Sequence, residues 1–302
     1  MRAARVGVMP PRVRPPVDED AASVLQVILA RDVADLGVPD FTLEDLRADW
    51  VTPGLDLDQD VRVAAGSVGA ISGYAILLGD DAVVVVHPEA EGEGTGTVLR
   101  RWAEARASER GTSVLRQFAY GSNDVARRLL REAGYAPAQH YFRLRADLAE
   151  VPPPAEVELR EFEPGDEQAV HRLIEDAFSE IEGHTPMTLE EWRTKGTAKQ
   201  GHDPRLWLVA EDEQGIAGAA LGERWEAATG YVAELAVAAR ARGRGLGRAL
   251  LLGLFAAFRR AGLAHAELSV HGRNRGALAL YESVGMRSTW EAERWEKALG
   301  PR

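Results

Sequence analysis

Gly94, Gly96, Asn123 and Gly134 recur as Gly245, Gly247, Asn274 and Gly285, each 151 positions further on. Leu99 and Leu250, Gly111 and Gly262, Ala126 and Ala277, and Leu129 and Leu280 keep the same offset with no gap between them. Glycines and helix-start residues punctuate secondary structure, so their alignment at one fixed period marks a repeated fold. The chain therefore reads as two homologous domains, 1–150 and 151–302, joined at the proline run of residues 150–156. Each copy is long enough to bury a core of its own.

Each copy reads as two helices, an antiparallel meander, and then strand, helix, strand, helix, strand. In the first, Val24, Val27, Ile28 and Ala34 recur at helical spacing over 20–34. Thr42 is placed to cap a helix over 43–49, and strands are expected at 61–65, 70–78 and 82–86. Helices at 97–109 and 123–133 alternate with strands at 113–120 and 140–145. The second copy gives a strand at 157–161, helices at 167–178 and 189–196, and strands at 206–211, 215–224 and 231–237. An apolar helical run at 249–258, a strand at 264–271, a helix at 274–284 and a closing strand at 288–297 complete it. The fold class is α+β, with a mixed, mostly antiparallel sheet flanked by helices in each copy.

Between the strand at 231–237 and the helix at 249–258 stands Arg242-Gly243-Arg244-Gly245-Leu246-Gly247-Arg248. A strand that passes through a glycine-rich turn straight into a helix aims unpaired N–H groups, and the positive end of the helix dipole, at one point. Three arginines add charge-assisted donors, so a diphosphate suits the loop better than a neutral ligand. It is neither a P-loop nor a Gly-x-Gly-x-x-Gly turn, and a surface turn without a ligand fits the bare pattern as well. Read as Arg242-x-x-Gly245-x-Gly247 and followed by Asn274-Arg-Gly-Ala277-Leu-Ala-Leu-Tyr281-Glu-Ser-Val-Gly285-Met286, it resembles the GNAT family of N-acetyltransferases. Two motifs agree in order and spacing, and the resemblance covers the whole C-terminal half.

The resemblance implies an acyltransferase that carries an acetyl group from acetyl-CoA to a primary amine of a small molecule or peptide, with its active site in the C-terminal copy. The diphosphate would lie on Arg242, Gly243, Arg244, Gly245, Leu246, Gly247 and Arg248, beside Asn274 and Ala277. Pantetheine would pair with the backbone of Leu235, Ala236 and Val237, in a gap opened where two central strands splay after a bulge. Tyr281 matches the tyrosine that gives a proton to the leaving thiolate, and Glu234 the strand glutamate that draws the amine proton through water. From the residues alone, Tyr281 also reads as a half-buried helix tyrosine and Asn274 as a helix cap. Glu234 is a base only if its face of the strand lines the cleft.

Near the acceptor side, Glu175, Asp176, Glu180 and Glu182 suit a cationic amine, or a solvated helix end. His171 and His184 have no companion at ligand spacing, so no metal is expected. Tandem copies with one degenerate loop resemble the layout of GNAT enzymes that acetylate a cysteinyl amine on a sugar–inositol scaffold, and that resemblance sets this acceptor beside amino-acid derivatives, antibiotics and protein N-termini. A non-catalytic acyl-CoA sensor or scaffold stays open as a second class.

The first copy has Glu91, Glu93 and Leu130 where the second has Arg242, Arg244 and Tyr281. Two carboxylates facing a diphosphate repel it, so this copy reads as a degenerate scaffold. A net charge of −11 argues against a nucleic-acid partner. The absence of cysteine removes disulfides and acyl-cysteine chemistry. Residues 1–14 carry arginines with no apolar run behind them, and no apolar helix is long enough to span a bilayer. A cytoplasmic monomer or homodimer without a membrane partner is the expectation.

Overall fold

A computed structural model describes residues 11–65, 70–154, 157–180, 184–197 and 202–300. Glu182 and the end of the proline run, Ala155 and Glu156, lie outside them. The described chain divides into two compact units, one running to Tyr141 and resuming at Trp290, the other spanning Phe142–Thr289.

The first unit contains β1 (Arg12–Arg14), α1 (Ala21–Leu36), α2 (Leu43–Trp50), α3 (Leu57–Asp60), β2 (Val61–Ala65), β3 (Ile71–Leu78) and β4 (Asp81–Val86). It continues through α4 (Thr95–Glu109), β5 (Val114–Tyr120), α5 (Asp124–Glu132) and the start of β6 (Ala136–Asp147). Its strands run antiparallel from β1 to β4, and β4 then meets β5 in parallel. Along β3 the side-chain direction alternates as a strand requires. Gly73 faces α4, where an added Cβ would meet Thr95 and Leu99 at 2.6 and 2.8 Å, while the Tyr74 hydroxyl accepts the Trp50 indole N–H from α2 at 3.0 Å. The helices thus cover opposite faces of one sheet. Thr42 caps α2 as expected, accepting the Asp45 N–H.

The second unit holds β7 (Arg160–Glu161), α6 (Glu167–Phe178), α7 (Leu189–Lys195), β8 (Trp207–Asp212), β9 (Gly215–Glu226) and β10 (Thr229–Val237). After these come α8 (Leu246–Arg260), β11 (His265–His271), α9 (Arg275–Ser283) and the start of β12 (Arg287–Ala298). The expected strand at 157–161 is reduced to β7. From α4, β5, α5 and β6 to α8, β11, α9 and β12, every boundary repeats at the 151-residue offset. The turns repeat too: Gly94 and Gly245 take φ of 89° and 79°, and Gly134 and Gly285 take 85° and 94°, a region that L side chains avoid.

The compact units do not divide where the proline run does. Ala292–Ala298 of β12 run antiparallel to Val114–Tyr120 of β5, so the first unit takes its last strand from the end of the chain. The second unit begins inside β6, where the Arg145 guanidinium donates to Glu267 of β11 at 2.8 Å and the Leu148 N–H to the Ala264 carbonyl at 2.9 Å. The repeat offset marks homology, whereas strand pairing decides which residues make a unit.

The core of the second unit sets how closely α8 approaches the sheet. Gly222 of β9 and Gly230 of β10 leave room for the fully buried Phe258 ring, and a Cβ at Gly230 would stand 2.6 Å from it. Overpacking at such a contact costs about 1–3 kcal/mol. Gly230→Ala is therefore expected to lower the melting temperature and the stability by that amount, measured by thermal and denaturant unfolding. No described helix is long and apolar enough to cross a membrane.

Candidate active site

The site begins with a fault in the second sheet. β10 pairs with β11 in parallel only over Thr229–Tyr231, against His265–Glu267. On its other side β10 pairs with β9 throughout, but the register shifts between Val232 and Glu234, leaving Ala233 as an extra residue. A bulge of this kind bends the strand and re-aims the side chains that follow. Beyond it, Leu235, Ala236 and Val237 pair with Ala220, Ala219 and Gly218 of β9, while their other edge has left β11. Half of the backbone groups of an antiparallel strand point to each edge, so this edge can pair with an extended amide-bearing ligand.

The strand leads into the glycine–arginine loop. Gly245 is the N-cap of the 15-residue α8, at φ 79°, and no side chain caps the helix. Its first-turn N–H groups, on Leu246, Gly247 and Arg248, therefore face outward with the positive end of the helix dipole behind them. Gly243 is also at positive φ, 76°. Arg242 and Arg244 are exposed at the mouth of the loop. Arg242 donates to the Val237 carbonyl at 3.1 Å and to Glu180 at 2.7 Å. No described carboxylate lies within ion-pair distance of Arg244, the guanidinium readiest for an incoming anion. An uncapped helix start beside unpaired cationic charge fits a diphosphate. Asn274 caps α9, its side-chain oxygen accepting the Ala277 N–H at 3.0 Å, so capping by itself accounts for the asparagine.

Two titratable side chains singled out by the sequence lie half-buried in this unit. Tyr281 of α9 packs partly buried against the core of the unit; burial above all, and then the neighbouring Tyr231, push its phenol up to about 12. Glu234 follows the bulge. Its carboxylate accepts the Trp192 indole N–H from α7 at 3.2 Å, which puts its face of the strand under the helices and not in bulk solvent. Burial raises its carboxyl above the ordinary carboxylate range, Glu175 adds to the rise, and Trp192 and His171 oppose it. Glu175 itself is engaged, receiving the Met187 N–H at 3.3 Å and standing 3.0 Å from His184 Nε2. His171 Nε2 lies 2.8 Å from the Met187 carbonyl. Both histidines thus have structural partners, and no cluster of metal-ligating side chains occurs among the described residues.

Sequence reasoning missed Trp192. The stretch 223–225 falls on the acceptor side by the family resemblance, but nothing in the sequence marked Arg143, whose guanidinium lies 5.4 and 5.2 Å from the ring centres of Trp225 and Tyr231. Trp192 carried a signal, being the one aromatic in a short helix whose other residues, Leu189 apart, are polar. Arg143 carried none, because it precedes the repeat boundary yet belongs to the second unit.

The corresponding place in the first unit is filled by its own side chains. Arg31 of α1 pairs with Glu91 of the loop and with Asp35 at 2.9 Å, and Asn123 donates to Asp35 at 3.1 Å while capping α5. Burial raises the Asp35 carboxyl, and Arg31 and Asn123 work against that rise. Leu130, where the second copy has Tyr281, is buried. Gly94 still begins α4 without a side-chain cap, so the backbone nest persists while the charges around it are spent on one another.

The second unit thus carries a split sheet edge, a helix start suited to diphosphate, and a half-buried phenol and carboxylate. The chain belongs to the Acetyltransferase (GNAT) family, whose model matches residues 167–286, and is an N-acetyltransferase. It is 34% identical over 242 residues to the mycothiol acetyltransferase of Beutenbergia cavernae, covering 74% of this chain and 78% of that one. With the mycothiol acetyltransferase of Geodermatophilus obscurus it shares 31% identity over 297 residues, covering 92% and 94%. Among solved structures, a GCN5-related N-acetyltransferase from Sphaerobacter thermophilus superposes with a TM-score of 0.78 at 31% identity, over 96% of each chain. A tandem GNAT protein from the clavulanic acid biosynthesis pathway has a TM-score of 0.66 at 18% identity, covering 97% and 99%, and shares the fold.

Proposed function

We propose that the second unit binds acetyl-CoA and that Glu234 and Tyr281 serve acetyl transfer to a primary amine. One observation carries this reading: β10 parts from β11 after Tyr231, and the freed strand runs on to Val237 and through the loop to the uncapped start of α8. When bound, acetyl-CoA supplies the activated acetyl thioester. Leu235, Ala236 and Val237 offer backbone partners to its pantetheine amides, and the loop from Arg242 to Arg248 its diphosphate site. Glu234 takes the amine proton directly or through one water, which needs its ionised form. Tyr281, a neutral phenol across the physiological range, donates a hydrogen bond to the departing sulfur. The first copy, 1–150 by homology, acts as a scaffold, and acetyl-CoA implies a cytoplasmic setting.

For the acceptor, the mycothiol acetyltransferase relatives favour a cysteinyl amine on a sugar–inositol scaffold. The test is acetyl-CoA consumption against a panel containing that amine, free amino acids, simple polyamines and peptide N-termini. Turnover of the cysteinyl amine at a kcat/KM at least about 100-fold above the others is the expected result, a preference of about 2.7 kcal/mol. Equal turnover across the panel would remove this acceptor, and no turnover of any amine would remove the transferase reading of the site.

A further inference from the structure

We propose that Trp192 is a positioning residue for acetyl transfer, its indole N–H fixing the Glu234 carboxylate. The inference rests on the reading of Glu234 as the base and adds the residue through which the fold controls it.

The indole is itself held on several sides. α7 opens with a reciprocal cap, Thr188 accepting the Glu191 N–H at 3.2 Å and Glu191 accepting the Thr188 N–H at 2.8 Å. Within that short helix Trp192 is the buried residue, at 3% exposure. Its ring packs against Trp207 of β8 at 5.4 Å and His171 of α6 at 5.9 Å. Trp207 is anchored in turn, donating its indole N–H to the Gly222 carbonyl at 3.1 Å. Behind α7 there is no slack, since a Cβ at Gly196 would meet the Trp207 ring at 2.8 Å. Among the described residues, the Trp192 N–H is the one hydrogen-bond donor to Glu234. A carboxylate with a single rigid donor keeps one oxygen occupied and leaves the other to accept a proton, as a general base requires.

The charged and titratable groups around this pair are Glu175 and His171 on α6, His184 beside Glu175, and His202, whose ring lies 4.5 Å from that of Trp207. A hydrogen bond to the ionised form favours that form, so losing the indole N–H makes Glu234 harder to ionise. The acid limb of the rate profile then moves to higher pH.

Nuclear magnetic resonance of protein labelled with 15N-tryptophan tests this without an acceptor. Of the seven tryptophan indole signals, the one absent from Trp192→Phe is that of Trp192. It is expected to move with pH through one midpoint in the wild type and to stay still in Glu234→Gln. A signal that does not move in the wild type, or moves equally in Glu234→Gln through His171, would overturn the proposal. With an amine from the panel, Trp192→Phe is expected to lose about tenfold in kcat/KM on the acid limb and no more than about threefold at alkaline pH. A loss equal at every pH means packing alone and also sinks the proposal. An acid limb that survives in Glu234→Gln would remove the base reading, while the indole titration still decides whether Trp192 holds Glu234.

Discussion

Tyr281→Phe is expected to lower kcat by about 100-fold while leaving the affinity for acetyl-CoA within about threefold. Proton-donating side chains contribute about 10²–10⁴-fold, and the lower end is the right choice here for a physical reason. Burial pushes the phenol up to about 12, above the ordinary thiol range, so proton transfer from Tyr281 to a leaving thiolate runs uphill. In the proposed mechanism the residue acts chiefly as a hydrogen-bond donor that steadies charge on sulfur, and a single donor of that kind accounts for about two orders of magnitude. The hydroxyl is removed and the ring is kept, so the packing of α9 against the core survives. Single-turnover rates and calorimetric titration with acetyl-CoA measure the two halves of the prediction. A variant with unchanged kcat would take Tyr281 out of the chemistry.

Arg244→Glu is expected to weaken acetyl-CoA binding by about 100-fold or more, whereas Glu93→Arg at the matching place in the first unit leaves it unchanged. Charge reversal removes a charge-assisted donor and sets a carboxylate against the diphosphate, two losses of about 1.5 kcal/mol or more each. In the first unit a single reversal restores little, because Glu91 and Asn123 are already committed to Arg31 and Asp35. Calorimetry of the wild type should give one site per chain. Two sites, or binding that survives Arg244→Glu, would make the first unit a cofactor site.

Much of this was legible in the sequence. Helix starts are local, and Thr42 and Asn274 each marked one by its own capping chemistry, whereas the helices expected from 97 and 249 begin earlier, at Thr95 and Leu246, directly behind the positive-φ glycines Gly94 and Gly245. The glycine–arginine loop is one continuous stretch, so its form could be read directly. Glu234 was harder. Simple alternation gave it a face, but the extra residue at Ala233 decides where that face points, and a bulge leaves no mark in a run such as Tyr-Val-Ala-Glu-Leu-Ala-Val. Trp192 depends on contacts across 42 positions, and the ion network from Arg31 to Glu91 across 60, and neither has a local signature. The short α3 and β1 were missed because each is too brief to show a period.

The closing strands bear on how the chain could change over time. A doubled gene normally leaves one copy expendable, and the first repeat here has Glu91, Glu93 and Leu130 where the second has its loop arginines and its tyrosine. Yet the sheet that carries the intact loop begins with residues 142–147, which the degenerate repeat encodes, and the last strand of the first unit is encoded at the far end of the chain. Deleting either repeat would take an edge from the other, so inheritance could erase chemistry from the spare copy but not the copy itself. Such a duplication works as a ratchet, with each repeat kept as a permanent part of the other.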